Sequence, residues 1–385
     1  MSTLTQRLCA AWQKSVDAGK LINHFQAPAD DPDGRWREGD AIAFGVRSQQ
    51  GENIYYAQNL TQDRLIPGAV EEKTIPNLGF VCQYNGYRAL RPGGQLKPLG
   101  KQADISPAPE DCRFSCQDAS DPLSLLVRDP LLQIPLKHHL WNAYYNAAPI
   151  DPNGHFLLVP TDLTSAITSA ITSAITSAEQ TLPEKNPLQR RGGRDNHSAL
   201  THYPQRLSLS FLEDAISLFE QFENTLLFFN SMHAGASVNH IHFQGITHRD
   251  SLLAESWPLT QADQPFAQLE GYPAQIMAFT TDTAPVELFR YIDQLQQQGT
   301  PFNLMFAGSR ILLIPRNIDH EIVSEFPGNG IAALGICGKI ITVDYQAYLA
   351  ADRQRIESAF AKMTKQKNNF WLDNYNLYRS KDSDG

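Results

Sequence analysis

The chain predicts an α+β fold, a mainly antiparallel sheet with helices packed on it and arranged as two related halves. Three observations carry this. Short apolar or alternating runs of strand length are bounded by turn-forming residues. Longer stretches with apolar residues at helical spacing lie among them. A strand, helix, strand order in the middle of the chain returns, more weakly, in its C-terminal part.

Residues 1–25 read as a helix, with Leu4, Leu8, Ala11, Trp12 and Val16 at helical spacing. Asp30-Asp31-Pro32-Asp33-Gly34 is a turn cluster, and residues 41–46 and 53–57 read as short strands around the turn-like Ser48-Gln49-Gln50-Gly51. Residues 80–91 form a further strand ending in Arg88 and Arg91, which read first as a solvated face. Residues 141–146 and 155–160 are two strands joined across Asp151-Pro152-Asn153-Gly154. Residues 164–175 repeat a four-residue unit, and with Asp162 as N-cap, Leu163, Ile167, Ile171 and Ile175 line one helical face. Low-complexity repeats also occur as disordered insertions, and the polar run that follows reads as a mobile loop. Residues 163–205 are therefore expected to be an insertion that the chemistry does not need.

The stripe Leu212, Ala215, Ile216, Phe219 and Phe222 makes residues 207–224 a helix, and Leu226-Leu227-Phe228-Phe229 is a buried strand. This order puts the residues that follow on one sheet surface, covered by the helix. Residues 274–279 are a strand, 286–298 a helix, and 302–306 and 310–316 two more strands. The last of these resembles 155–160 in pattern, which suggests the two halves. Residues 344–363 close the chain as a helix, and the tail from 380 is expected to fray. The domains expected are an N-terminal extension (1–139), a half carrying the site (140–245), a second half (246–363) and a tail (364–385).

At 385 residues the chain is long enough for two domains or one large one. Its net charge of −9 argues against nucleic acid or an anionic membrane as partner, because both need a basic face. Five scattered cysteines do not form a secreted disulfide framework, and the first 25 residues read as neither a signal peptide nor an anchor. A cytoplasmic protein is expected. Cys112 and Cys116 with a nearby histidine invite a zinc reading, but one CxxxC without a second closely spaced pair is a weak signal.

The chemistry concentrates in Gly235-Ala236-Ser237-Val238-Asn239-His240-Ile241-His242-Phe243-Gln244-Gly245. In an extended chain His240, His242 and Gln244 share one face, roughly 6 to 7 Å apart, while Ile241 and Phe243 take the other. Gly235, Ala236 and Ser237 are small, so backbone N–H groups and one hydroxyl can approach a ligand closely. A bare His-x-His-x-Gln is more often structural than catalytic. Here the small-residue loop, the helix-to-strand approach, the upstream Gly154-His155-Phe156-Leu157-Leu158-Val159-Pro160 and the downstream strands point the other way.

Together these residues resemble the signature of the histidine-triad (HIT-like) superfamily. More narrowly, they resemble its transferase branch, which contains galactose-1-phosphate uridylyltransferase, diadenosine tetraphosphate phosphorylase and the GDP-hexose phosphorylases. The resemblance covers about residues 140–345, the insertion excluded. It implies a HIT-like fold and a covalent nucleotidyl-His242, formed by attack of a neutral imidazole on the α-phosphorus of a nucleotide. The other ring nitrogen of His242 must then donate to a carbonyl or similar acceptor. Gln244 stands where hydrolases of the superfamily carry a third histidine. It can donate to a phosphate oxygen but cannot shuttle a proton, which favours transfer to phosphate over hydrolysis. His240 is expected to orient the site, Ser237 and the N–H groups of Gly235 and Ala236 to hold phosphate, and Asn230 and Asn146 to contact nucleotide or loop. His155 and His233 read as structural.

The motif wording leans to a GDP-hexose substrate, with diadenosine tetraphosphate as the rival. A nucleotide-binding protein without turnover is the alternative of another class, and a metal-binding structural protein built on Cys112 and Cys116 a distant third. The partners expected are a nucleotide and inorganic phosphate, with a homodimer left open. No cofactor and no metal are expected.

Overall fold

A computed structural model describes residues 2–18, 42–43, 56–57, 70–86, 88, 130–146, 149–162, 202–247, 249–260, 266–328 and 330–365. The readings made of the repeat at 164–175, of Cys112 and Cys116, of Arg91 and of the tail from 380 lie outside these residues.

The strands before the site are β1 (Ile42–Ala43), β2 (Tyr56–Ala57), β3 (Val70–Thr74), β4 (Val81–Asn85), β5 (Leu132–Pro135), β6 (Leu140–Tyr145) and β7 (His155–Thr161). Those that follow are β8 (Thr225–Asn230), β9 (Phe243–Thr247), β10 (Ala267–Gln268), β11 (Met277–Thr280), β12 (Phe302–Ala307), β13 (Arg310–Pro315) and β14 (Lys339–Thr342). The helices are α1 (Leu4–Asp17), α2 (Leu209–Gln221), α3 (Leu253–Ser256), α4 (Pro285–Gln297), α5 (Ala333–Ile336), α6 (Tyr345–Leu349) and α7 (Arg353–Met363).

Nine strands make one sheet in the order β10-β11-β13-β12-β8-β9-β7-β6-β5, antiparallel at every pairing. Its central strands are apolar without alternation because both faces are covered; every residue of β8 and of β12 is buried. On one face Trp141, Phe156, Leu227, Phe229, Phe243 and Phe306 meet Leu8 and Trp12 of α1, Leu212 and Leu218 of α2, and Leu288 and Ile292 of α4. On the other, Leu226, Phe228, Ile246, Met305 and Ile314 meet Cys82 and Ile340 of a small β14-β4-β3 sheet, Phe80 just before β4, and Leu334, Phe360 and Met363. This second layer draws on residues 70–85 and 331–363, so segments from before and after the large sheet close over the same face, while α1 packs on the other.

The two halves meet at the centre of the sheet. β8 pairs with β12, with Phe229 opposite Leu304 and Phe228 opposite Met305. Outward from this seam the orders β8-β9-β7-β6 and β12-β13-β11-β10 mirror each other. By position β13 therefore answers β9, not the His155–Thr161 strand that it resembles in pattern. The likeness of those two sequences reflects burial on both faces, which any central strand shares.

Residues 344–363 are two helices where the sequence suggested one. Asp344 caps α6 by accepting from Ala347 N, and Asp352 caps α7 by accepting from Arg355 N, at 2.7 Å in each case. A short carboxylate that binds backbone N–H groups restarts a helix rather than continuing one.

Candidate active site

β9 starts at Phe243, and its alternation is as the sequence predicts from there on. Phe243 joins the aromatic core under α2, while Gln244 lies opposite Phe228 and Leu157, on the other face. The site is therefore on the sheet surface away from α2, and the expected cover by that helix is not found. The helix follows the apolar side of the strand, and the polar side is left to the layer built by β4, β14 and α5. His240 ends a bend at 238–240 and His242 lies in the irregular stretch just before the strand, so the single extended segment expected from His240 to Gln244 is not formed.

The backbone that follows this bend fixes the chemistry of His242, which is 5% exposed. Its Nδ1 lies 2.8 Å from the carbonyl oxygen of His240. A carbonyl only accepts, so the proton sits on Nδ1 and the lone pair on Nε2. The contribution of His240 to this pair is its backbone; its own ring is fully buried, edge-on to His202 at 5.1 Å. The backbone of His242 is held by Gln205, whose Oε1 accepts from His242 N at 2.9 Å. The Nε2 of Gln205 donates to Asn230 O at 2.8 Å and to His242 O at 3.3 Å. Gln205 closes the segment read as a dispensable insertion, and its burial at 5% exposed places that end of the segment in the site.

Gln244 is oriented by His155. Its Oε1 is 2.9 Å from His155 Nε2, with Asn146 Nδ2 at 3.3 Å from the same nitrogen. The shorter contact, to an oxygen, requires a proton on Nε2, which leaves the amide NH2 of Gln244 as its outward donor. His155, read from sequence as structural, is thus the partner of a predicted site residue.

The loop between β8 and β9 turns on Gly235, at φ +97°, where an added Cβ would stand 2.9 Å from Ala332 Cβ. The N–H of Gly235, expected to meet phosphate, donates instead to Glu321 Oε1 at 3.0 Å. Ala236 is buried and Ser237 half-buried in the same loop, and His233 is buried with φ +62°.

Arg88, Phe228, Asn230, Gly235, Gln244 and Ala332 line a cavity of about 70 Å³. That volume suits a phosphate group rather than a whole nucleotide. His242, Ala236 and Ser237 do not line it. Arg88 does, so it is not the solvated arginine that the sequence suggested, and it brings a cation to the space where Gln244 brings a donor. The sequence carried no signal for Gln205 or Arg88 beyond their residue types, because the contacts that matter span the fold. Among the described residues no group of three or more His, Cys, Asp or Glu could hold a metal ion.

The antiparallel sheet of two mirrored halves, with helices packed on both of its faces, is an α+β fold. Within it, solved structures of one enzyme are similar over nearly the whole chain. The crystal structure of yeast Ap4A phosphorylase Apa2 in complex with AMP aligns with a TM-score of 0.51 at 12% identity, over 96% of this chain and 99% of that one. The complex of the same enzyme with Ap4A aligns at 0.49 and 13% identity, over 94% of this chain and 97% of that one. At these identities the likeness is one of fold. No family model matches the sequence, and no curated protein does. No helix among the described residues is long and apolar enough to cross a membrane.

Proposed function

We propose that this protein is a nucleotidyltransferase of the phosphorylase type, cleaving a nucleotide anhydride through a covalent nucleotidyl-His242 with inorganic phosphate as acceptor. The observation that carries the reading is the Nδ1 contact of His242 to the His240 carbonyl, 2.8 Å, which leaves Nε2 as the nucleophile. In the first step Nε2 bonds to the α-phosphorus and the anhydride P–O bond breaks, the leaving phosphate taking the electron pair. The Nδ1–H, held by the carbonyl, stabilises the charge that the ring acquires. Gln244, with its NH2 turned outward by His155, and Arg88 supply donors where charge builds on phosphoryl oxygens. In the second step a phosphate oxygen attacks the same phosphorus and the P–N bond breaks. No side chain in this set replaces the third histidine, which supports phosphate over water as acceptor.

Two substrates are in play. The Asn239-His240-Ile241-His242-Phe243-Gln244 wording leans to a GDP-hexose, and the end-to-end likeness in fold to an Ap4A phosphorylase supports diadenosine tetraphosphate, which we take first. Incubation with each substrate in the absence of phosphate, followed by intact-mass analysis, is expected to add one nucleoside monophosphoryl group to the wild type and none to His242→Ala. Equal labelling of His242→Ala removes the nucleophile assigned here. Absence of labelling and of phosphate-dependent turnover on both substrates removes the reading. Nucleotide binding without turnover is the second reading, and tight binding with no product under any acceptor would favour it.

A further inference from the structure

We propose that Asn303 and Arg316, both in the half that lacks the His-x-His motif, are positioning residues that set which end of the Asn230 amide faces the cavity. The proposal rests on the nucleotide reading above, since it names what the amide recognises: a phosphoryl oxygen.

The orientation follows from donors and acceptors alone. Arg316 is fully buried, and a guanidinium only donates. Its Nη1 lies 2.6 Å from the Asn303 amide, so the atom it meets is Oδ1. The Nδ2 of Asn303 must then point the other way, where it donates to Ala234 O at 2.7 Å and to Asn230 at 2.8 Å. The atom of Asn230 that receives it is therefore Oδ1, and Ala333 N, donating at 3.1 Å, imposes the same choice. Asn230 Nδ2 is left as the outward end, with no acceptor among the described residues, on a side chain that lines the cavity beside Gln244. A buried cation two amides away thus turns a symmetric-looking side chain into a fixed donor. The same Asn303 Nδ2 holds the carbonyl of Ala234, so loop and amide are set by one group.

The variant that tests this is Asn303→Asp. Its carboxylate still accepts from Arg316 but cannot donate, so a charged acceptor now faces Asn230 and outweighs the single N–H of Ala333, turning the NH2 inward and the oxygen toward the cavity. Dissociation constants of AMP and of adenosine are measured in parallel for wild type and variant. AMP is expected to weaken by about tenfold or more, the loss of a hydrogen bond to a charged group, while adenosine changes less than about twofold. A role in folding alone would weaken the two together. If Asn303→Asp shows no cooperative thermal transition, Arg316→Gln and Arg316→Met take its place. Gln can still donate to Asn303 Oδ1 and is expected to keep the preference for AMP; Met cannot and is expected to lose it. An unchanged AMP preference in Asn303→Asp, or equal preferences in the two Arg316 variants, overturns the relay while leaving the nucleotide reading intact. A wild type that binds AMP no better than adenosine overturns both.

Discussion

Three backbone groups around the candidate nucleophile, His242 N, His242 O and Asn230 O, end on the single side chain of Gln205. Replacing Gln205 by Ala removes all three of these hydrogen bonds at once. We expect a loss of about 2–3 kcal/mol in denaturant unfolding and, because the imidazole is free to shift by a fraction of an ångström, a fall in kcat of about 100-fold. Gly235→Ala acts differently. At φ +97°, with Ala332 in the way of a Cβ, it strains the loop itself and is expected to cost about 1–3 kcal/mol by thermal unfolding. At this scale His242, Gln244 and Asn230 were legible in the sequence as candidates, the first two from the pattern at 240–244 and Asn230 from the family resemblance. His155, Gln205, Arg88, Asn303 and Arg316 were not. Each becomes a site neighbour only through strand pairing or packing across tens of residues, and nothing local distinguishes such an arginine or glutamine from a solvated one.

Between elements, α7 is fastened to the rest by Glu325, whose carboxylate accepts from Ser358 Oγ at 2.7 Å and from Lys362 Nζ. Burial pushes that carboxyl up, but the hydrogen bonds from Lys362 and Ser358 outweigh it and hold its pKa at about 2 against an ordinary 4.5. The sign follows. A carboxyl depressed on folding stabilises fully above about 4.5 and loses that stabilisation as the pH falls toward 2. Glu325→Gln is expected to lower stability near neutrality by about 1–2 kcal/mol, Lys362 being partly exposed, and to flatten the acid limb of a plot of Tm against pH. At the other end of the same helix, Asp352→Ala removes the N-cap and is expected to cost about 1 kcal/mol. Both aspartate caps stand in the sequence, yet the stretch reads as one helix because its apolar residues keep helical spacing straight across the break at 350–352. Strand existence was easier to read than helix placement. The apolar runs of β8, β12 and β13 announce buried strands, whereas the face on which α2 packs follows from which side of β9 is apolar.

For the whole molecule, the central pairing of β8 with β12 makes the two halves one sheet, and each core on either face draws residues from both. Thermal unfolding is expected to be a single cooperative transition, with calorimetric and van't Hoff enthalpies in agreement; two resolved transitions would contradict a shared core. The mirrored strand order was foreshadowed by the weak return of strand, helix, strand along the chain, whereas the likeness of 310–316 to 155–160 registers burial and not position in a sheet. The seam also limits how small the protein can be made. A fragment ending before Leu253 would carry His242, Gln244 and Asn230, yet its middle strand would become its border, with the backbone groups that β12 now satisfies turned toward other copies. Such a piece is expected to associate with itself before it folds into anything that binds a nucleotide.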